Sequence, residues 1–159
     1  MASRTGSCAC GAVTYRLTSA PLFVHCCHCL LCQKQTGSAF AINALIEASR
    51  VRVTKGKAKL EAIAMPTLSE YPHDIYRCRE CKVALWSDYA RRKVMLFVRV
   101  ATLDEPHAIQ PDVHIFTRSK VPWVKLPKSA RAFEVYYDRH KEWPKASLAR
   151  REKLLGQGR

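Results

Sequence analysis

The chain has 159 residues, of which 48% are hydrophobic, so it is long enough to fold as one domain (residues 1–159) around an apolar core. Its 27 Lys and Arg residues outnumber 13 Asp and Glu residues, and the net charge of +14 favours anionic partners such as carboxylate-bearing metabolites, phosphates or nucleic acid. No apolar run is long enough to cross a bilayer and residues 1–8 show no signal-peptide pattern, so we expect a cytoplasmic protein without a membrane partner.

Short apolar segments separated by turn residues predict a mainly β fold of antiparallel strands with short helical turns. In chain order, we expect strands at residues 12–17, 39–46, 51–53, 58–64, 69–77, 94–101 and 132–136. A short helical turn at residues 30–35 should end at Gly37, and residues 146–155 should form a surface helix. We place the core of the domain at about residues 7–137 and treat residues 138–159 as a C-terminal tail.

Two cysteine pairs far apart in the chain have the spacing of metal ligands. Cys8 and Cys10 form a C-x-C pair before a predicted strand, and Cys78 and Cys81 form a C-x-x-C pair after one. Four thiolates can hold one zinc ion tetrahedrally, and ligation across a long loop removes entropy from the unfolded chain. We therefore expect these four residues to form a structural zinc site.

A third cluster has a different spacing. Cys27, Cys29 and Cys32 form a local C-x-C-x-x-C run, and three thiolates can hold a second zinc ion while leaving one position open for water or substrate. The following turn, at residues 33–38, is rich in hydrogen-bond donors, which suits a site open to a ligand. We interpret Cys26 as a small buried residue beside this site rather than as a ligand.

Other interpretations of the cysteines remain open. In a second interpretation of the central run, His28, His25 or Cys26 supplies a fourth ligand and the site is purely structural. Disulfides would need an oxidising compartment, and the spacings typical of iron–sulfur proteins are absent.

Four segments together resemble the glutathione-dependent formaldehyde-activating enzyme family. They are residues 7–11 (SCACG), 27–40 (CHCLLCQKQTGSAF), 78–81 (CREC) and 111–123 (PDVHIFTRSKVPW). The likeness runs from about Ser7 to Tyr137. The family commonly has Gly after the C-x-x-C pair, where this chain has Lys82.

The resemblance implies a fold, a set of metal ligands and an activity. It implies a β-tent fold of antiparallel strands, stapled by a structural zinc, and a second, labile zinc on the three central cysteines, which makes two ions per chain. It also implies a carbon–sulfur lyase that joins glutathione to formaldehyde, giving S-hydroxymethylglutathione. In this mechanism Cys27, Cys29 and Cys32 hold the zinc that positions a thiolate for attack on the aldehyde.

Several other side chains are candidates for the substrate pocket or the core. Lys34, Arg118 and Lys120 could bind a carboxylate of a glutathione-like ligand. His114 could donate a proton or contact an anion, although a hydrogen-bonded structural histidine fits equally well. We expect Trp123 and Phe40 in the core.

Two non-catalytic functions compete with the enzyme. The first is a zinc-binding module for nucleic acid or another acidic partner, because centromere protein V resembles the same family yet is associated with chromatin and microtubules. The basic residues are spread along the chain without an aromatic-interleaved patch, which argues against nucleic acid. The second is a carrier that binds a thiol metabolite without turning it over.

Overall fold

The computed structural model describes residues 3–67 and 71–156. The described residues form two β-sheets with few helices, so the prediction of a mainly β fold is confirmed. The strands are β1 (Arg4–Ser7), β2 (Thr14–Leu17), β3 (Phe23–Cys27), β4 (Ala41–Glu47), β5 (Val51–Lys55), β6 (Leu60–Met65), β7 (His73–Cys78), β8 (Ala84–Tyr89), β9 (Met95–Arg99) and β10 (Val113–Ile115).

The smaller sheet has the order β1-β2-β5 and the larger has the order β10-β3-β4-β9-β8-β7-β6. The described strand pairs are antiparallel except for β10, which runs parallel to β3. The arrangement is therefore mainly antiparallel, as the sequence predicted, with this strand as the exception among the described pairs. The parallel pairing is possible because a long connection separates the two strands in the chain.

The described residues also form five short 3₁₀ helices and three α-helices, which are α1 (Leu30–Thr36), α2 (Arg139–Glu142) and α3 (Lys145–Gly156). The predicted turn at residues 30–35 is confirmed as α1, which ends at Gly37 with a φ of +63°. The predicted surface helix at residues 146–155 is confirmed as α3. No described helix combines the length and apolar character that a membrane span requires.

Two apolar clusters form the core. One joins the two sheets, and in it Tyr15 of β2 contacts Trp86 of β8 edge to face at 5.4 Å between ring centroids. The other lies between β3, β4 and the C-terminal segment, where Trp143 stacks on Phe23 at 5.2 Å. A buried ion pair also joins the C-terminal segment to the larger sheet: Arg150 of α3 donates to Glu47 of β4 at 2.6 and 2.9 Å.

Some predictions from the sequence are wrong. Residues 132–136 form no strand, because their backbone bonds to His114, Phe116 and Thr117 follow the bend after β10 rather than a straight ladder. Trp123 is not in the core: it lies in a turn closed by the Val124 amide and the Val121 carbonyl, and 72% of its surface is exposed. Trp143 fills the core instead.

Other boundaries shift. The strand predicted at residues 69–77 is observed at His73–Cys78, and residues 69 and 70 lie outside the described residues. Phe40 is half-buried rather than fully in the core, with its ring edge against His28. The sequence patterns did not indicate β1, β3 or β8 as strands, whereas the segment around His114, now β10, had a strand-like pattern.

Candidate functional site

The two outer cysteine pairs lie on two similar backbone turns. The Cys8 amide donates to the Val13 carbonyl at 3.0 Å, and the Cys78 amide donates to the Val83 carbonyl at 3.1 Å. Each turn therefore closes over six residues and presents both thiols of its pair within a short loop.

Both turns contain a residue with a left-handed backbone. Gly11 has a φ of +69° in the first turn, and Lys82 has a φ of +61° in the second. Glycine adopts this conformation without a Cβ clash, whereas a lysine does not. The turn thus keeps a glycine-like conformation at the position where this chain has Lys82.

The fold brings the four thiols of these turns together. The sulfur atoms of Cys8, Cys10, Cys78 and Cys81 all lie within 4.8 Å of one another. The Cys8–Cys10 and Cys10–Cys78 sulfur distances are 3.5 and 3.9 Å. A tetrahedral ion with four sulfurs at about 2.3 Å spaces those sulfurs about 3.8 Å apart. The group could therefore hold a metal ion with little rearrangement.

The three central cysteines are also brought together, by the junction of β3 and α1. Cys27 ends β3, Cys29 caps the N-terminus of α1, and Cys32 lies in its first turn, with all three sulfurs within 4.8 Å of one another. The Cys32 amide donates to the Cys29 sulfur at 3.3 Å. This group could hold a second metal ion.

Close contact among these three thiols gives them different pKa values. Hydrogen bonds from Cys27 and Cys32 lower the pKa of Cys29 to about 2. The hydrogen bond to Cys29 in turn raises the pKa of Cys27. For Cys32, the hydrogen bond with Cys27 lowers the pKa, but the contact with Cys29 and burial outweigh it and raise the pKa to about 11. One of the three cysteines can therefore be ionised without a metal ion, whereas three thiolates this close together require a cation between them.

No fourth ligand joins the central group within residues 3–67 and 71–156. Cys26 and His28 belong to a separate cluster with His114, and His25 falls in neither group. The described side chains therefore leave a coordination position open at the three central cysteines.

A cavity of about 610 Å³ lies beside the three central cysteines, all of which line it. Its walls are mainly apolar and include Leu31, Leu45, Met95, Phe97, Ile115 and Trp143. Cavities of this size and character accommodate metabolites.

The charged residues that line the cavity are all arginines. Arg92, Arg118 and Arg139 contribute to it, and none of the described lining residues is Asp or Glu. Guanidinium groups bind carboxylates bidentately, so the cavity suits a carboxylate-bearing ligand.

The four side chains that the sequence suggested for substrate binding lie in different places. Arg118 lines the cavity, whereas Lys34 is exposed on α1 and is not among the lining residues. The Lys120 ammonium donates to the Val124 carbonyl at 2.7 Å. His114 contacts His28, with 3.0 Å between ring nitrogens.

The His28 and His114 rings are neutral at neutral pH. Burial, with His114 and Lys120 nearby, lowers the pKa of His28 to about 4. Burial also lowers the pKa of His114.

Sequence reasoning missed a buried hydrogen-bond chain at the cavity wall. The Trp143 indole donates to the Tyr137 hydroxyl at 2.7 Å, and this hydroxyl lies 2.5 Å from His25 Nε2. When this hydroxyl donates to His25 Nε2, the remaining ring proton of His25 lies on Nδ1. Burial, with the Arg139 charge, lowers the pKa of His25 to about 3, so the ring is neutral. Once β3 is known to be a strand, the position of His25 two residues before Cys27 places both side chains on the same face, and this spacing could have indicated His25.

Sequence reasoning also missed Arg99, which is 6% exposed at the end of β9. It donates to the side-chain oxygens of Asn43 and Gln35. Within the described residues no carboxylate pairs with it. Its cation favours the ionised form of Cys32, so Arg99 acts electrostatically on the cysteine group.

Comparison with known proteins agrees with this geometry. Residues 3–119 match the model of the glutathione-dependent formaldehyde-activating enzyme family. The chain belongs to this family. The matched segment contains all seven cysteines of the two groups described above. The predicted family resemblance is thus confirmed.

The individual proteins that this chain resembles are distant from it. A Halomonas elongata protein named "Putative glutathione-dependent formaldehyde-activating enzyme" is 27% identical over 144 residues, covering 84% of this chain and 88% of that protein. A crystal structure of a Rhodobacter sphaeroides protein is 20% identical, with a TM-score of 0.49, and the match covers 81% of this chain and 98% of that one.

Proposed function

We propose that the protein is a zinc-dependent carbon–sulfur lyase that adds the thiol of glutathione to formaldehyde or a related small aldehyde. One observation carries the proposal: three cysteines with an open coordination position line a cavity whose charged residues are all arginines. Membership of the family supports the same reaction. The eight free cysteines fit a reducing, cytoplasmic setting.

Two zinc ions per chain would be held by different groups. Cys8, Cys10, Cys78 and Cys81 would hold the structural ion, and Cys27, Cys29 and Cys32 the second, more labile one. When bound, the second ion supplies a positive centre that favours an ionised thiol at neutral pH.

The reaction balances as an addition. A sulfur–carbon bond forms, the π bond of the carbonyl breaks, and the proton lost by the thiol is found on the new hydroxyl oxygen. His25 lines the cavity, so its ring could assist at that oxygen when the Tyr137 hydroxyl donates to Nε2 and the ring proton lies on Nδ1. A neutral imidazole donor of this kind stabilises charge that develops on a carbonyl oxygen.

The arginines would hold the substrate. Glutathione carries two carboxylates, and Arg118 with Arg92 or Arg139 could bind them while apolar walls exclude water from the thiol. In this arrangement Arg118 acts in binding rather than in the bond-forming step.

A binding measurement with a matched control tests this assignment. We expect Arg118→Ala to weaken glutathione binding about tenfold or more, measured by calorimetry on the zinc-loaded protein. Lys34→Ala, which removes an exposed charge outside the cavity lining, should leave the affinity unchanged. Equal losses in both variants would show that general surface charge attracts the ligand, and no binding to the wild type would contradict the proposal.

A further inference from the structure

A third group of metal-ligating side chains lies on the opposite face of β3. Successive side chains of a strand point to opposite faces, so Cys26 and His28 face away from Cys27. The parallel strand β10 places His114 directly beside Cys26 in the register. The His28 amide continues the pairing by donating to the Ile115 carbonyl at 3.0 Å.

This arrangement brings one sulfur and two ring nitrogens together. Cys26 Sγ lies 3.6 Å from His28 Nε2, and that nitrogen lies 3.0 Å from His114 Nδ1. The three atoms all lie within 4.8 Å of one another. Typical metal–ligand lengths place a bound sulfur and nitrogen about 3.5 Å apart and two bound nitrogens about 3.4 Å apart. If the two rings moved slightly apart, the three atoms would therefore lie at metal-binding distances from one another.

Two members of the group are buried, and His114 is half-buried. Cys26 is 1% exposed and His28 is fully buried. His28 Nδ1 is buried without a hydrogen-bond partner within the described part of the chain. This nitrogen is not one of the three atoms that face each other, so the case for a site rests on the distances among those three and on the burial of Cys26 and His28.

We propose that Cys26, His28 and His114 form a separate, three-coordinate site for a monovalent copper ion. Soft thiolate sulfur favours this ion, and imidazole is compatible with it. One thiolate and two neutral rings make an uncharged complex with Cu⁺.

Charge balance disfavours Zn²⁺ at the same place. With a divalent ion the three ligands would leave one net positive charge in a buried region. Lys120 adds a further positive charge close to His28, and no carboxylate belongs to the group as described. The chemistry thus differs from that of the two cysteine-only groups, which suit a divalent ion.

The test is an anaerobic titration of the protein as purified with Cu⁺, in competition with a coloured Cu⁺ chelator and with released zinc measured at the same time. We expect the wild type to retain one Cu⁺ per chain without releasing zinc. Cys26→Ala and His114→Ala should each lose that equivalent, whereas Cys29→Ser, which alters the neighbouring group, should keep it.

X-ray absorption of the copper-loaded wild type gives a readout that needs no variant. We expect one sulfur and two nitrogens around the copper. Copper surrounded by three or four sulfurs, release of one zinc for each copper bound, or full retention by Cys26→Ala would overturn the proposal. So would a wild type that binds no Cu⁺ against the chelator.

Discussion

Cys10 and Cys78 are 68 positions apart in the chain, yet their sulfur atoms approach to 3.9 Å. Cys10 lies before β2 of the smaller sheet and Cys78 ends β7 of the larger sheet, so their contact joins the two sheets. A metal ion held by both pairs would stabilise the fold in the same way as a long-range cross-link.

Removal of this ion should therefore destabilise the whole domain. We expect Cys78→Ser, or a strong chelator on the wild type, to lower the melting temperature by more than about 10 °C, since structural zinc sites contribute several kcal/mol to folding. Differential scanning calorimetry measures the change. Cys29→Ser, which alters only the central group, should shift the melting temperature far less, and equal shifts in the two variants would contradict a division into structural and functional sites.

Arg99 should support metal binding at the central cysteines. Arg99→Met removes a buried cation that no described carboxylate neutralises, and we expect metal affinity at Cys27, Cys29 and Cys32 to fall about tenfold or more. Competition with a chelating dye measures the affinity. The control is Arg52→Met, on the exposed side of β5 in the smaller sheet. If Arg99→Met bound metal as tightly as Arg52→Met, the compensating role of Arg99 would be wrong.

The pair between Arg150 and Glu47 should make stability depend on pH. Burial raises the pKa of Glu47, but the hydrogen bonds from Arg150, a backbone hydrogen bond and the charges of Arg150 and Arg50 together outweigh burial and bring the pKa below its usual value. The pair therefore stabilises the fold above the unfolded pKa of about 4.3, and this contribution is lost as pH falls through the folded pKa.

The matching variant is Arg150→Met, which leaves the buried carboxylate with only the longer contact to Arg50. We expect a loss of about 2 kcal/mol at pH 7 that shrinks below pH 4, measured by urea unfolding. Arg50→Met is the control, because Arg50 is half exposed and its Nε lies 4.0 Å from the same carboxylate. A loss independent of pH would show that packing of Arg150, not its charge, holds α3 against β4.

Features of this fold that depend on residues close together in the chain could be predicted from the sequence, whereas features that depend on distant residues could not. Cysteine spacing indicated both cysteine groups, and Gly37 marked the end of α1, because these signals lie within a few residues. Strand β3 was missed because its residues, FVHCC, are buried on both faces and show no alternation. The parallel pairing of β10 with β3 depends on residues far apart in the chain, and no local pattern reveals it.

The cavity could not be predicted from the sequence for the same reason. Arg118 was a candidate from a local motif, but Arg92 and Arg139 are drawn from separate parts of the chain and meet it only after folding. Trp123 and Trp143 each lie beside a proline but have different environments. Trp123 follows a proline and is exposed in a turn, whereas Trp143 precedes a proline and is buried against β3. Composition alone does not distinguish them.

Lys82 should carry a conformational cost in the second cysteine turn. Lys82→Gly removes the left-handed strain at a φ of +61°, and Lys82→Ala keeps it, while both variants lose the exposed ion pair to Glu61. We expect the glycine variant to be more stable than the alanine variant by about 1 kcal/mol, compared by thermal unfolding of the zinc-loaded proteins. An alanine variant as stable as the glycine variant would show that the turn relaxes.

The most direct test of the proposed activity is exchange spectroscopy by NMR on an equilibrium mixture of glutathione, formaldehyde and S-hydroxymethylglutathione. Because this addition also proceeds without an enzyme, the quantity to compare is the exchange rate with zinc-loaded wild type, with Cys29→Ser and with no protein. We predict faster exchange with the wild type alone. A wild-type rate equal to that without protein, on material that binds glutathione, would contradict catalysis and leave a carrier of the thiol as the function.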